Sequence, residues 1–222
     1  MRGFAHINTW IFDLDNTLYP ASCRLFDQMH VRMSDFIRDT FNVDEAEALR
    51  RRRDYYLKYG TTLRGLMVEH SMQPDAFLDY VHDIDYSKVP RLEELNIALA
   101  KLPGRKLVFT NGTTGHAKRV LNKLGVTNHF EAVFDIVDSD YIPKPDRTPY
   151  DKFQNLHDVD GTRSAFFEDI AQNLEAPHDM GMTTVLITSE NQSAQPEPDA
   201  RQHEYVHHTT NNLVEFLKGM TP

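Results

Sequence analysis

The sequence has little of what several common classes of protein require. Its single cysteine, Cys23, excludes an internal disulfide and leaves no ligand set for a cysteine-based metal site. No run of about 18 to 20 apolar residues is present, so we expect no membrane-spanning helix. Lysine and arginine number 24 against 33 aspartates and glutamates, and the net charge of −9 argues against a nucleic-acid-binding protein.

The remaining composition is that of an ordinary globular protein, with 40% hydrophobic and 26% charged residues. The apolar run at residues 10 to 12 is too short for the core of a secretion signal, and Asp13 ends it. We therefore expect a soluble, cytoplasmic protein of one domain, or of one domain with a smaller insert. The sequence gives no indication of the oligomeric state.

Short apolar runs alternate with amphipathic helical patterns after residue 90, and a similar run lies near the start of the chain. This alternation predicts an α/β fold with a parallel sheet covered on both faces. The polar, proline-rich stretch at 192–204 predicts a surface loop. The predicted strands are 9–15, 106–110, 130–137, 164–169 and 183–188, and the predicted helices of this part are 112–125, 148–159, 173–181 and 209–219.

Residues 20–90 interrupt that alternation with a series of helical patterns. Apolar residues recur at helical spacing, and prolines Pro20 and Pro90 stand at the two ends. We expect an insert with its own small core after the first strand, so that the main domain consists of residues 1–19 and 91–222. The predicted helices of the insert are 23–41, 44–60, 61–71 and 74–84.

Polar side chains follow the predicted strands at their carboxyl ends, where open parallel sheets bind ligands. Any one of them could be a helix cap or a turn former, but their coincidence at one sheet edge favours a site. The set consists of Asp13 and Asp15 after the first strand, Thr110 and Asn111 after the second, Lys144 after the third, and Glu168 and Asp169 after the fourth.

Asp13 and Asp15 are two residues apart and would face the same side of an extended chain. Two carboxylates at that spacing repel each other unless a cation joins them, and oxygen ligands favour Mg²⁺ over zinc. Asp169 could complete the ligand set. A calcium-binding EF-hand is excluded, because Leu18 and Arg24 occupy the positions that require glycine and glutamate.

These residue types suit the hydrolysis of a phosphate ester. Asp13 could attack phosphorus to give an aspartyl-phosphate, and Asp15 could serve as the general acid and then the general base. Thr110 could donate a hydrogen bond to a phosphoryl oxygen, and Lys144 could offset the accumulated negative charge.

Four stretches of the sequence resemble the motifs of the haloacid dehalogenase-like hydrolase superfamily, in their usual order: "FDLDNTLY", "VFTNG", "PKPD" and "FFEDIAQN". The resemblance implies a Mg²⁺-dependent phosphohydrolase with a Rossmann-like parallel sheet core and a small α-helical cap, at 20–90, inserted after the first strand. It also implies that Asp13, the backbone carbonyl of Asp15 and Asp169 bind the metal. Thr110, Asn111 and Lys144 would hold the phosphoryl group.

The fourth motif departs from the usual pattern of two acidic residues and serine, because Ile170 follows Glu168 and Asp169. A supporting hydroxyl is therefore missing. We take Asp169 as the metal ligand, with Glu168 as its partner or as a residue that supports it.

A narrower resemblance, in "YYLKYGTTLRGL" and "FTNGTTGHAKRVLNKLG", is to the pyrimidine 5′-nucleotidase family of that superfamily. It implies that Tyr59, Gly60, Thr61 and Arg64 of the cap face a substrate base or sugar, although these residues could equally belong to the cap core. Arg64 is the most useful candidate, since a guanidinium can reach a phosphate or a carbonyl.

Several functions remain as alternatives. A dehalogenase does not need an acid/base two residues after the nucleophile, so Asp15 argues against one. A phosphomutase would use the same residues, whereas a non-catalytic nucleotide sensor would be expected to have lost some of them. The expected partner is a small phosphorylated metabolite: a pyrimidine nucleoside 5′-monophosphate first, and a sugar phosphate or phosphoglycolate second.

Overall fold

One parallel sheet forms the centre of the computed structural model, which describes residues 3–188 and 203–220. Its strand order is β3-β2-β1-β4-β5-β6, the order of a Rossmann-like fold. The described strands are β1 (Thr9–Phe12), β2 (Arg105–Phe109), β3 (Ala132–Phe134), β4 (Ser164–Glu168), β5 (Thr183–Ile187) and β6 (His208–Thr210).

β1 lies between β2 and β4, with Phe12 beside both Val108 and Phe167. All four residues of β1 are buried, as expected for a strand with a neighbour on each side and helices on each face. The strand order reverses between β1 and β4, and ligands of open α/β sheets bind at such a reversal.

Several helices begin with an ordinary capping residue. Asp44, Thr61, Thr113 and Asp146 each cap a helix by accepting a hydrogen bond from a backbone N–H of the first turn. The described helices are α1 (Leu25–Phe41), α2 (Glu45–Tyr59), α3 (Thr62–His70), α4 (Pro74–Val81), α5 (Glu93–Lys101), α6 (Thr114–Leu124), α7 (Arg147–His157), α8 (Glu175–Asp179) and α9 (Leu213–Lys218).

Each face of the sheet has its own hydrophobic cluster. Trp10 and Phe12 point to the side that is covered by α5, α6 and α9, whereas Ile11 points to the side covered by α7. Trp10 also donates a hydrogen bond from Nε1 to the carbonyl of Pro103, at 2.7 Å, so its one polar atom is satisfied. The two buried faces fix the sheet between layers of helices.

α1 to α4 share a third cluster, which includes Met29, Ile37, Leu66 and Phe77. α2 and α3 pack closely at Gly65, where an added Cβ would lie only 2.5 Å from Tyr55. The helices of residues 20–90 therefore share a hydrophobic cluster distinct from the two of the sheet, and Ile136, which follows β3, also belongs to it. The domain boundaries at 19/20 and 90/91 stay a prediction.

The structure differs from the expected elements in a few places. β1 ends at Phe12 and β3 spans only Ala132–Phe134, because the chain turns where the apolar patterns continue. α5 and the short edge strand β6 were not expected. Residues 192–202 of the predicted surface loop lie outside the described residues. Among the described residues, no helix is long and apolar enough to cross a membrane.

Candidate active site

Asp13 follows β1 directly and is held at the sheet edge by its backbone. Its N–H donates to the carbonyl of Phe167 at 2.9 Å, which continues the β1–β4 pairing one residue past the strand. Asp15 lies in a turn and not on the strand, since Leu18 N–H bonds the carbonyl of Leu14. The turn, and not strand periodicity, therefore sets the direction of the Asp15 side chain.

Lys144 joins three parts of the site through one buried ammonium group. Its Nζ lies 2.8 Å from Asp13 Oδ1, 2.7 Å from Glu168 Oε1 and 3.0 Å from the carbonyl of Phe109. All three hydrogens of the ammonium therefore have acceptors. These carboxylates raise the pKa of Lys144 against the opposing effect of burial, so its charge is retained.

Glu168 accepts three hydrogen bonds. Besides Lys144, Oε1 accepts from Asn173 Nδ2 at 2.6 Å, and Oε2 accepts from the N–H of Ile170 at 2.7 Å. Asn173 is itself buried, and its carbonyl accepts from the hydroxyl of Tyr150 at 2.7 Å. The backbone N–H of Ile170 and the amide of Asn173 thus support this carboxylate, where the superfamily pattern leads one to expect a serine hydroxyl.

Oxygen atoms of Asp13, Glu168 and Asp169 lie within 4.8 Å of one another. Burial raises the pKa of Asp13 to about 7, and burial together with Glu168 raises the pKa of Asp169 well above its usual value. Three carboxylates and one ammonium leave two negative charges when all are ionised. A divalent cation would offset those charges, and an all-oxygen donor set suits a hard cation such as Mg²⁺.

Asp15 has different surroundings from Asp13. Its Oδ1 accepts hydrogen bonds from Tyr19 Oη at 2.5 Å and from His116 Nε2 at 2.8 Å. Burial acts to raise the pKa of Asp15, but the attraction of His116 and the two hydrogen bonds outweigh it and leave the pKa below its ordinary value. Burial and Asp15 also raise the pKa of Tyr19, so its phenol remains a donor.

Thr110 and Asn111 follow β2, but their side chains have different contacts. Thr110 Oγ1 accepts from the N–H of Gly112 at 2.9 Å, which leaves its own hydrogen to donate. Asn111 Oδ1 accepts from the N–H of Lys144 at 2.9 Å, and its Nδ2 lies 3.4 Å from the Lys144 carbonyl. Asn111 therefore holds the backbone that carries Lys144, and its contact with a phosphoryl group stays a prediction.

The four residues predicted to face a substrate base or sugar lie in different surroundings. Gly60 ends α2 with a φ of 81°, and a Cβ there would lie 3.2 Å from Pro143 and 3.7 Å from the carbonyl of Lys144. The helical block of residues 20–90 therefore closely approaches the segment that carries Lys144 at Gly60. Tyr59 Oη donates to Glu69 at 2.8 Å and Thr61 caps α3, so both contact other parts of the helical block. Arg64 is half-buried on α3.

Sequence reasoning missed three residues of this site: Tyr19, His116 and Asn173. Tyr19 follows Asp15 by four residues, a spacing that one helical turn brings together, and this signal was present in the sequence. His116 stands in a quoted motif but is 101 residues from its partner Asp15. No local pattern could have paired them.

Comparisons with known proteins identify the family of this chain. A model of the haloacid dehalogenase-like hydrolases matches residues 7–181. Phosphate metabolism protein 8 of Saccharomyces cerevisiae is 29% identical over 193 residues, which are 80% of this chain and 60% of that protein. The chain thus spans less than two thirds of the length of this relative.

Solved structures of low sequence identity share the fold. An L-2-haloacid dehalogenase from Xanthobacter autotrophicus is 14% identical with a TM-score of 0.56, over 96% of this chain and 97% of that one. A HAD phosphatase from Thermococcus onnurineus is 16% identical with a TM-score of 0.60, over 96% and 98%. YfnB from Bacillus subtilis, bound to magnesium, is 12% identical with a TM-score of 0.60, over 97% and 99%. Because the family model matches most of the chain, the chain belongs to the haloacid dehalogenase-like hydrolases.

Proposed function

We propose that the protein is a Mg²⁺-dependent phosphomonoester hydrolase that acts through an aspartyl-phosphate on Asp13. The observation that carries this proposal is the separation of two aspartates into two environments. Asp13 belongs to the buried cluster of carboxylates around Lys144, whereas Asp15 is held apart by Tyr19 and His116. One site thus contains a nucleophile and a separate acid/base.

In the first step, a carboxylate oxygen of Asp13 attacks phosphorus. Lys144 holds Oδ1 of Asp13, so Oδ2 is the oxygen that we assign to the attack. The new bond from Oδ2 to phosphorus forms as the bond from phosphorus to the leaving oxygen breaks. Asp15 gives its proton to that leaving oxygen, and an alcohol departs.

In the second step, Asp15 takes a proton from water, and the water oxygen attacks the phosphorus of the aspartyl-phosphate. The bond to Asp13 breaks, inorganic phosphate leaves, and both aspartates return to their starting states. Asp15 must be protonated before the first step, although its pKa is lowered in the free protein. The negative charge of a bound phosphate ester raises that pKa again.

Asp13, Asp169 and the backbone carbonyl of Asp15 are the groups that we assign to Mg²⁺ binding. When bound, the cation neutralises charge on the phosphoryl group and on the carboxylates. Glu168 supports the cluster, because Lys144, Asn173 and the N–H of Ile170 already occupy its oxygens. Thr110 donates its hydroxyl hydrogen to a phosphoryl oxygen.

The substrate that we propose is a pyrimidine nucleoside 5′-monophosphate, bound between the sheet edge and the cap near Gly60. The contact of Gly60 with the Lys144 segment supports a role for the α2–α3 turn in substrate binding. A sugar phosphate or phosphoglycolate is the second candidate. Water must be excluded in the first step and admitted in the second, which requires the cap to close and open.

The test is phosphate release with and without Mg²⁺ from UMP, CMP, dUMP, purine monophosphates, sugar phosphates, phosphoglycolate and a chromogenic ester. Preference for the pyrimidine monophosphates supports the nucleotidase assignment. Activity toward sugar phosphates alone retains the chemistry and removes that assignment. If none of these esters releases phosphate, the hydrolase proposal is wrong, and a phosphomutase or a nucleotide sensor takes its place.

Substitution of Asp13 by asparagine tests the nucleophile. We expect Asp13→Asn to abolish turnover of every ester that the wild type hydrolyses, because the amide cannot form the acyl phosphate. The fold should be retained, since asparagine has nearly the same shape, and circular dichroism checks this. Near-normal turnover by Asp13→Asn in Mg²⁺ would show that another group is the nucleophile.

A further inference from the structure

We propose that His116 is a positioning residue that fixes the carboxyl group of Asp15 for proton transfer to the leaving group. The inference rests on the proposed function, since it assigns a role toward the acid/base of that reaction. His116 lies in the first turn of α6, past the carboxyl end of β2, and is completely buried.

The hydrogen bonds of Asp15 distinguish its two oxygens. Oδ1 accepts from both His116 Nε2 and Tyr19 Oη. Oδ2 lies toward Gly112, where an added Cβ would be 3.7 Å from it and 3.3 Å from Thr110 Oγ1. One oxygen is therefore anchored, and the other faces the side of the site where Thr110 is placed to bind a phosphoryl oxygen.

The bond from His116 does not depend on the charge of the imidazole. An ionised carboxylate only accepts hydrogen bonds, so Nε2 must bear a hydrogen in both the neutral and the charged ring. Nδ1 lies 2.9 Å from the hydroxyl of Tyr86. It accepts from that hydroxyl when it has no hydrogen and donates to the phenol oxygen when it has one.

The imidazole ring of His116 is fixed by its surroundings. His82 is stacked against it with ring centroids 4.7 Å apart, and Tyr86 contacts its far edge. Thr113 accepts from the backbone N–H of His116 at 3.2 Å, which fixes the first turn of α6. A ring held in this way restricts the rotation of the Asp15 carboxyl group, and proton transfer is sensitive to such positioning.

The test compares His116→Met with His116→Gln. The two replacements are similar in length, but glutamine retains an N–H donor where the histidine has Nε2 and methionine does not. Each is assayed with two esters: an alkyl phosphate that the wild type hydrolyses, such as UMP, and p-nitrophenyl phosphate. An alkoxide needs a proton as it leaves, whereas p-nitrophenolate leaves readily without one.

We expect His116→Met to lower kcat/KM for the alkyl ester by about 10- to 100-fold, part of what general acid catalysis supplies. The loss for p-nitrophenyl phosphate should be less than about 3-fold, and His116→Gln should recover most of the difference. Both kcat/KM values of one preparation scale with the fraction of protein that is folded, so their ratio does not depend on that fraction. His129→Met is the control, since His129 bonds Asn96 elsewhere, and its ratio should equal that of the wild type.

Two results would overturn the inference. An equal loss for both esters in His116→Met would mean that the ring has only a structural role. No loss of kcat/KM for either ester in that variant would mean that Asp15 is positioned without it. Absence of Mg²⁺-dependent phosphate release by the wild type from every ester of the panel is a separate result, and it overturns the proposed function together with the inference.

Discussion

At the scale of single residues, the charge of Lys144 is the feature on which the site depends most. It is 2% exposed and makes two ion pairs, with Asp13 and Glu168, and the carbonyl of Phe109 takes its third hydrogen. Buried charges are tolerated in proteins when they are paired in this way, and removal of one partner leaves the others without compensation.

We predict that Lys144→Met lowers the free energy of unfolding by about 3 to 5 kcal/mol, because it leaves buried carboxylates without their cation. It should also abolish phosphate release. Urea unfolding followed by circular dichroism measures the first effect. Lys152→Met is the control, since the Lys152–Asp140 pair is exposed to solvent and should matter little. A Lys144→Met protein as stable as this control would contradict the prediction.

The same scale shows which part of the site can be predicted from sequence. Asp13, Thr110, Lys144 and Glu168 were predicted because they follow apolar runs, and parallel strands place such positions at one edge. The partners of Asp15 could not all be predicted in that way. His116 contacts Asp15 only because α6 follows β2, the neighbour of β1, and no periodicity in the sequence encodes that distance.

At the scale of elements, the packing of α1 on α2 buries a histidine beside an arginine. His30 is half-buried against Phe26, with ring centroids 4.6 Å apart, and its carbonyl accepts from Arg52 Nη1 at 2.8 Å. Burial first, and then the charge of Arg52, lower the pKa of His30 to about 4, and Asp27 opposes them only weakly. The folded protein therefore favours the neutral ring.

We predict a pH dependence of stability from this helix pair. Because the folded pKa of about 4 lies below the ordinary 6.5, the contribution of His30 is complete above pH 6.5 and is lost as the pH falls through 4. The contribution of His30 to the free energy of unfolding is at most roughly 3 kcal/mol. His30→Gln should flatten the fall of the free energy of unfolding over that range, measured by urea titration at several pH values. His6→Gln is the control, because His6 is exposed. If the free energy of unfolding of His30→Gln fell with pH as steeply as that of the wild type, the prediction would be contradicted.

Elements differed in how well the sequence predicted them. β4 and β5 are short and fully buried, and their aromatic and β-branched residues favour a strand over a helix. β6, "HTT", is a three-residue edge strand of polar residues that depends on its pairing with β5. α5 follows the predicted boundary at 90/91 directly, and its contacts with α9 place it against the sheet. Polarity and short length made β6 hard to predict, whereas Leu95, Ala98 and Leu99 of α5 recur at helical spacing and are a signal that the sequence did contain.

At the scale of the whole molecule, the carboxylates that we assign to Mg²⁺ come from chain segments far apart in sequence. Asp13 follows β1 and Asp169 follows β4, and the two strands are neighbours in the sheet. The folded protein therefore brings together a candidate cation site that the unfolded chain lacks. Ligands that bind only the folded state raise its stability.

We predict that Mg²⁺ raises the melting temperature of the wild type in a concentration-dependent manner, and that EDTA reverses the effect. At a free concentration 100 times Kd the gain is about 2.7 kcal/mol. Asp169→Asn should reduce the gain, because it removes one charge and one ligand. Asp179→Asn, at the exposed end of α8, is the matched control. A Mg²⁺ effect that is equal in both variants would exclude Asp169 as a ligand. Thermal unfolding at several Mg²⁺ concentrations makes this measurement.

The chain passes between the sheet and the helices of residues 20–90 twice, and both passages meet at Asp15. On the way out, Tyr19, next to Pro20, bonds Asp15 directly. On the way back, Tyr86, four residues before Pro90, bonds His116, which bonds the same oxygen. A change of angle between the helices and the sheet would therefore strain or relax the hydrogen bonds of Asp15. For the acid/base role that we propose, the reactivity of Asp15 is thereby linked to the position of these helices through Tyr19 and through Tyr86 and His116.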